Sequence, residues 1–289
     1  MKKLLALALA SLMLISLVAC GKDKETDDDE VKVTEPVVDE LVFENFKYSA
    51  NTAGMYEIVG YIPTEDDSDT IKIPATIDGR PVTGIGESAF KAAKYLKKIE
   101  LPENIVYISD YAFYDCDYLT EIELPSTLTT IGKGVFQDCN ALVSVTLSEN
   151  LTTIGAYAFM DCEAMKNVTL PETLVTIEAG AFYNCNGLTE VAIPESVRKL
   201  GDAAFHECSN LATITVPGTI PATIPVKDED GNPIKDENNE IVQQNVFGNS
   251  LFSKCAAELT VITPEDSAFA KYVVDNNYNV KAPEAAPET

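Results

Sequence analysis

The chain has 289 residues, 46% of them hydrophobic, which is enough to bury a sizeable core, and a formal net charge of −25. Phosphate binding needs a basic face, and Arg80 and Arg198 are the only arginines, so nucleic acid is excluded as a partner. One histidine (His206), no tryptophan, no Gly-x-Ser-x-Gly and no phosphate loop leave no recognisable nucleophile or cofactor site, so neither an enzyme nor a cofactor is expected.

The N-terminus reads Met1-Lys2-Lys3, an apolar run from Leu4 to Ala19, then Cys20. A basic start, a short apolar core and small residues before a break make a secretory signal over residues 1–19, too short for a comfortable membrane span. Leu17-Val18-Ala19-Cys20-Gly21 resembles a bacterial lipobox. That resemblance implies cleavage before Cys20 and diacylglycerol on its sulfur, while an ordinary secretory signal with an incidental cysteine is the plainer alternative. One lipid chain holds a membrane only reversibly; the lipobox class implies more than one, hence a stable anchor and no other membrane contact. Lys22 to Glu40 carries nine acids against three lysines and few large apolar groups. Residues 20–40 are therefore expected to be a disordered acidic tether.

From residue 85 a period takes over. Phe90, Phe113, Phe136, Phe159, Phe182 and Phe205 are each 23 residues apart, the mark of a solenoid whose repeats stack on one another. The unit reads Leu-x-x-Ile-x-Leu-Pro-x-x-Leu-x-x-Ile-Gly-x-x-Ala-Phe-x-x-Cys, as in Leu119–Cys139 and Met165–Cys185. Alternation at Ile99/Leu101, Ile122/Leu124, Val145/Leu147, Val168/Leu170, Val191/Ile193 and Ile214/Val216 predicts a strand with one buried side. Pro102, Pro125, Pro171, Pro194 and Pro217 end these strands, with Ser148 the exception. A second, shorter extended stretch ends at Ile108, Ile131, Ile154, Ile177 and Leu200, and Ala-Phe-x-x-Cys is expected to be one helical turn with the phenylalanine as structural core.

These residues resemble the BspA-like class of bacterial leucine-rich repeats from about Phe43 to about Ala282. Tyr56–Tyr61 and Ile71–Val82 look like that family's opening segment (cap, 41–84), and Pro264–Lys281 like its closing one. The expected fold is therefore a repeat solenoid, mostly β with short helical turns: a leucine-rich repeat of 23-residue period over 85–217, with both caps and one hairpin-like insertion. The resemblance implies a bacterial cell-surface protein, in some members adhesive toward host or bacterial partners, with no shared catalytic residues.

Residues 218–250 interrupt the array, because Phe205 to Phe252 is 47 residues, two periods plus one. One rung has been replaced or heavily decorated. Ile224–Lys227 and Pro233–Lys235 flank Asp230-Gly231, a good hairpin turn. The last rung and C-terminal cap occupy 251–282, and 283–289 is a tail.

Cys116, Cys139, Cys162, Cys185, Cys208 and Cys255 form one column, expected to be reduced and buried. Zinc is disfavoured, since there is no Cys-x-x-Cys. Asp115, Asp138, Asp161, Asn184 and Glu207 precede those cysteines; stacked carboxylates could gather calcium, but such residues more often satisfy backbone groups in tight turns. Asp228-x-Asp230-x-Asn232 lacks the glycine and glutamate of a calcium loop, so no metal site is expected. Paired acids such as Glu121/Glu123 point out from an open strand rather than into a glycosidase cleft.

Tyr95, Tyr107, Tyr111, Tyr114 and Tyr118 crowd the first two rungs. Tyrosine is a stiff amphipathic contact enriched in interfaces, although several of these could equally be half-buried covers for the turns. The strand face itself is polar, acidic at one end, threonine-rich through the middle and without aromatics. Tyr95, Tyr111, Tyr114 and Tyr118 are therefore the candidate contact residues for an extracellular protein or glycan, with the insertion as a second candidate. The competing class is a structural or auxiliary envelope lipoprotein with no dedicated ligand.

Overall fold

The computed structural model describes residues 41–281 apart from 52, 65–69, 222 and, between 226 and 246, all but 233, 235 and 243–245. The lipobox-like signal, the tether, the Asp230-Gly231 turn and the tail after residue 282 lie outside the described residues.

Each 23-residue unit makes one three-sided coil. The first side is a three-residue strand such as Lys98–Glu100, Glu121–Glu123 or Ser144–Thr146, whose central residue is buried and whose flanks face outward. These strands pair in parallel and in register, Ile122 beside Val145 and Val191 beside Ile214. At Asn167 only a single bridge to Ser144 continues the ladder. Proline then turns the chain. It has no N–H to give, but its carbonyl accepts the amide three residues on, as Pro125 does from Leu128 at 3.0 Å. Ser148 keeps that bond and adds two, its hydroxyl donating to the Ser126 carbonyl and accepting from the Asn150 amide, so its burial is satisfied.

The second side is the short strand ending at Ile108, Ile131, Ile154, Ile177 or Leu200, again parallel and in register. An antiparallel meander, Leu41–Phe43, Phe46–Ala50 and Tyr56–Tyr61, closes this sheet at its first edge by pairing with Arg80–Ile85. The segment 41–84 does more than cap: Thr70–Lys72 is already the first strand of the first side.

The third side departs from the expected helical turn. In the second rung the amides of Tyr111, Phe113 and Asp115 donate to the carbonyls of Lys133, Val135 and Gln137 one coil on, at 2.8–2.9 Å, while the Tyr114 amide between them closes a local turn on Tyr111. Tyr111 and Asp115 have φ of 57° and 59°, and left-handed residues at this spacing end any helix. The side is a run of consecutive turns whose alternate amides form a ladder between coils. Inside it the six phenylalanines are fully buried and stack nearly parallel, with ring centroids 5.2–5.5 Å apart. Cysteine follows because its thiol donates to the phenylalanine carbonyl of the preceding coil, Cys139 Sγ to Phe113 O at 3.1 Å and likewise along the column. All six described cysteines are free thiols; five are buried, but Cys255 is only half-buried, against expectation. It sits in the last coil, with no further coil stacked over it.

No rung is missing at the insertion. Thr213–Thr215 pairs directly with Thr260–Ile262, Leu200 bridges Phe247, and the Phe205 amide reaches the Leu251 carbonyl. The extra chain leaves after buried Ile220 and returns at Phe247, which decides between replacement and decoration in favour of decoration. Its paired strands are Thr223–Pro225 and Gln243–Asn245, so Ile224 faces Gln244 rather than the expected Pro233–Lys235. The far end is closed by the helix Ala268–Asp275, capped by Ser267 accepting from the Ala270 amide, which buries Phe269 and Val273. Phe269 meets Phe252, the last ring of the column, edge-on.

Candidate functional site

Two surfaces carry the polar side chains that could meet a ligand. On the strand side, a shallow depression of about 460 Å³ is lined by Glu100, Glu103, Glu121, Glu123, Ser144 and Thr146 among others. Its lining lysine, Lys98, binds Glu121 at 2.7 Å, and Lys72 of the neighbouring strand binds the lining Glu100 at 2.8 Å. The bond to Glu121 holds the Lys98 ammonium above its ordinary range. A second depression continues around Thr169, Glu172, Glu190, Thr213 and Thr215. Glu121 and Glu123 point outward from one strand.

The tyrosines do not form one cluster: Tyr111 and Tyr114 lie on the turn side, and Tyr107 on the second-side strand ending at Ile108. Tyr95 packs against the core and its ring lies 5.7 Å from Tyr61 of the cap. Tyr107 is a tie within the fold, its hydroxyl donating to Glu57 at 2.8 Å. Tyr111 and Tyr114 are brought together, ring to ring at 6.0 Å and nearly perpendicular. Lys133 lies over Tyr111 at 5.5 Å and Lys91 over Tyr114 at 4.9 Å, each a cation–π contact. Tyr118, beyond Cys116, is 52% exposed.

What holds Tyr111 in place is not evident from its own stretch of sequence. It and Tyr157 occupy a left-handed position that glycine fills in the next coil, at Gly134 and Gly180. Each tyrosine ring lies close against that glycine; a Cβ on Gly134 would come within 2.5 Å of the Tyr111 ring, and one on Gly180 within 2.6 Å of Tyr157. Aligning the coils shows the signal, a Tyr-Gly-Tyr-Gly alternation at 111, 134, 157 and 180.

Asp115, Asp138, Asp161, Asn184 and Glu207, which precede the cysteines, sit at φ between 55° and 62°, a left-handed turn conformation, and the side-chain bonds of Asp138, Asp161, Asn184 and Glu207 run to other side chains. The Asp138 carboxylate beside Tyr114 raises the pKa of the tyrosine, while burial lifts the carboxyl of Asp138 and its neighbour Asp161 lifts it further. Tyr183 repeats the relation with Glu207, donating at 2.7 Å. There the His206 ring stacks on Tyr183 at 5.1 Å, and the Lys254 ammonium, bonded to Glu207, pulls that carboxyl below its ordinary range. This second tyrosine–acid station also escapes a reading along the chain. Among the described residues no group of three or more His, Cys, Asp or Glu is disposed to hold a metal.

The sequence profile of the BspA type leucine rich repeat region matches six copies, over residues 68–163 and 141–224. Among solved structures, a leucine rich cell surface protein of Faecalibacterium prausnitzii A2-165 is similar at 25% identity and a TM-score of 0.50, covering 78% of this chain and 70% of that one. A leucine rich repeat protein of T. pallidum is similar at 20% identity and a TM-score of 0.47, covering 84% and 98%. A leucine-rich repeat protein of Bacteroides ovatus ATCC 8483 matches at 22% identity and a TM-score of 0.44, covering 84% and 76%. No curated protein matches the chain.

Proposed function

Because the chain belongs to the BspA-type leucine-rich repeat family, we propose that it is a lipid-anchored module of the bacterial cell surface that binds an extracellular protein or glycan through the turn side of its first coils. The surface location rests on the secretory start, on Cys20 in its lipobox-like setting, and on the similarity to a cell surface protein of F. prausnitzii. The observation that carries the binding reading is the Tyr111–Tyr114 pair. Its rings are set at right angles, one lying close against a glycine and each covered by a lysine. Aromatics held in one geometry lose little entropy on binding, and contact energy concentrates in such residues. Tyr118 extends the patch; Tyr95, packed on the cap, serves the fold instead. The acidic balance fits a neutral or basic partner with a salt-sensitive association rate.

The test is a protein and glycan array probed with the soluble chain, then with Tyr114→Ala and Tyr118→Ala. Weakened binding with an unchanged melting temperature supports the site. Unchanged affinity places it elsewhere, the hairpin being the next surface to delete. An array blank on every extracellular class favours the structural envelope role.

A further inference from the structure

We propose that Cys255 is the reactive thiol of the domain, and that a small-molecule disulfide converts it together with Cys208 into a disulfide joining adjacent coils. The two residues hold the same place in coils that stack directly, since the Phe205 and Glu207 amides bond to the Leu251 and Ser253 carbonyls at 3.0 and 2.9 Å. Stacked strands lie about 4.8 Å apart, and bridged cysteines have Cα atoms about 4.4–6.8 Å apart, so the column is within reach of a bond. Cys208 Sγ donates to the Phe182 carbonyl at 3.0 Å and Cys255 Sγ to the Phe205 carbonyl at 2.9 Å, which aims both thiols the same way into the column.

Access separates this pair from the rest. Cys116 and Cys139 stack in the same way, but both are fully enclosed. Cys255 is the one described cysteine that is not buried. The neighbouring Cys208 thiol also lowers the Cys255 thiol pKa, while Cys255 and burial raise that of Cys208. Cys255 is thus the attacking sulfur, because the thiolate is the nucleophile. It displaces one thiolate from the small-molecule disulfide and forms a mixed disulfide. Cys208 gives up its proton and attacks the Cys255 sulfur, releasing the second thiolate. The protein loses two protons and two electrons, and the small disulfide is reduced to two thiols.

The experiment uses the full chain with Cys20→Ser and the aromatic disulfide 5,5′-dithiobis(2-nitrobenzoate). Native protein should release about two equivalents of chromophore, lose the mass of two hydrogens and retain no adduct, with the bond mapped to the Cys208 and Cys255 peptides. Cys208→Ala should release about one equivalent and keep an adduct on Cys255. Cys255→Ala should release none until denaturant is added. A stable adduct on Cys255 in the native chain, unchanged release from Cys255→Ala, or a bond between any other pair overturns the proposal. If Cys208→Ala fails to fold by circular dichroism, the native mass and the Cys255→Ala trace still decide.

Discussion

Replacing Phe159 by alanine removes a ring that is fully buried and stacked on both faces, 5.3 Å from Phe136 and 5.3 Å from Phe182. The backbone there is untouched: the Phe159 amide still bonds to the Ala181 carbonyl at 2.8 Å, and its carbonyl still accepts the Cys185 thiol. The loss is therefore transfer and cavity energy, about 3–5 kcal/mol for a buried phenylalanine. For a domain of this size about 1 kcal/mol moves Tm by roughly 2–4 °C, so a fall of roughly 6–20 °C is expected. Each coil touches only its neighbours, so the damage is local and should divide the array. Thermal unfolding monitored by circular dichroism reads the first effect. Hydrogen exchange resolved by peptide reads the second, as early exchange in the coils of Phe136, Phe159 and Phe182 while both capped ends stay protected. Tyr118→Ala, a change at an exposed ring, is the control and should cost little. A Phe159→Ala protein whose melting curve overlays the parent's refutes the assignment of the inside and the outside of the coil.

Gly180→Ala should destabilise by more than the ~1 kcal/mol typical of a left-handed glycine, because the new methyl also meets the Tyr157 ring; adding Tyr157→Ala should return part of the loss in a double-mutant cycle of denaturation midpoints. Asp138, with its pKa raised by burial and by Asp161, favours the protonated fold, so its contribution is present at low pH and lost as pH rises through its folded value. Asp138→Asn should therefore be more stable than the parent at neutral pH, and the gap should close on acidification below the ordinary carboxylate range; a gap that widens on acidification would reverse the sign of the argument. Cys20→Ala should leave an uncleaved precursor that takes up no lipid label, and normal processing and labelling would end the anchor reading.

The period, the two strands and the inward positions are legible because one side of each strand alternates apolar with polar, and because proline and phenylalanine mark the same points in every coil. The turn side is not legible in the same way. Ala-Phe-x-x-Cys has helical spacing, and nothing local in Tyr111 or Asp115 announces a positive φ; the reason appears only when the next coil is laid alongside and its carbonyls supply the partners. The tyrosine patch rests on density along the chain, which groups residues by sequence distance. In space Tyr95 belongs to the cap and Tyr107 to a network with Glu57, while Tyr111 answers to Gly134, 23 residues on. Cys255 breaks its column's pattern because its exposure depends on whether another coil covers it, and no repeat records where the stack stops.

The insertion leaves after Ile220 and returns at Phe247, at the corner between the two sheets, and the coils on either side remain joined as if it were absent. That corner is a graft point. Chain added there is exempt from the 23-residue arithmetic that governs every other position, so its length and composition can change without a compensating change in the scaffold. A foreign peptide spliced between those two residues should leave the flanking coils paired as they are, Thr213–Thr215 on Thr260–Ile262 and Leu200 on Phe247.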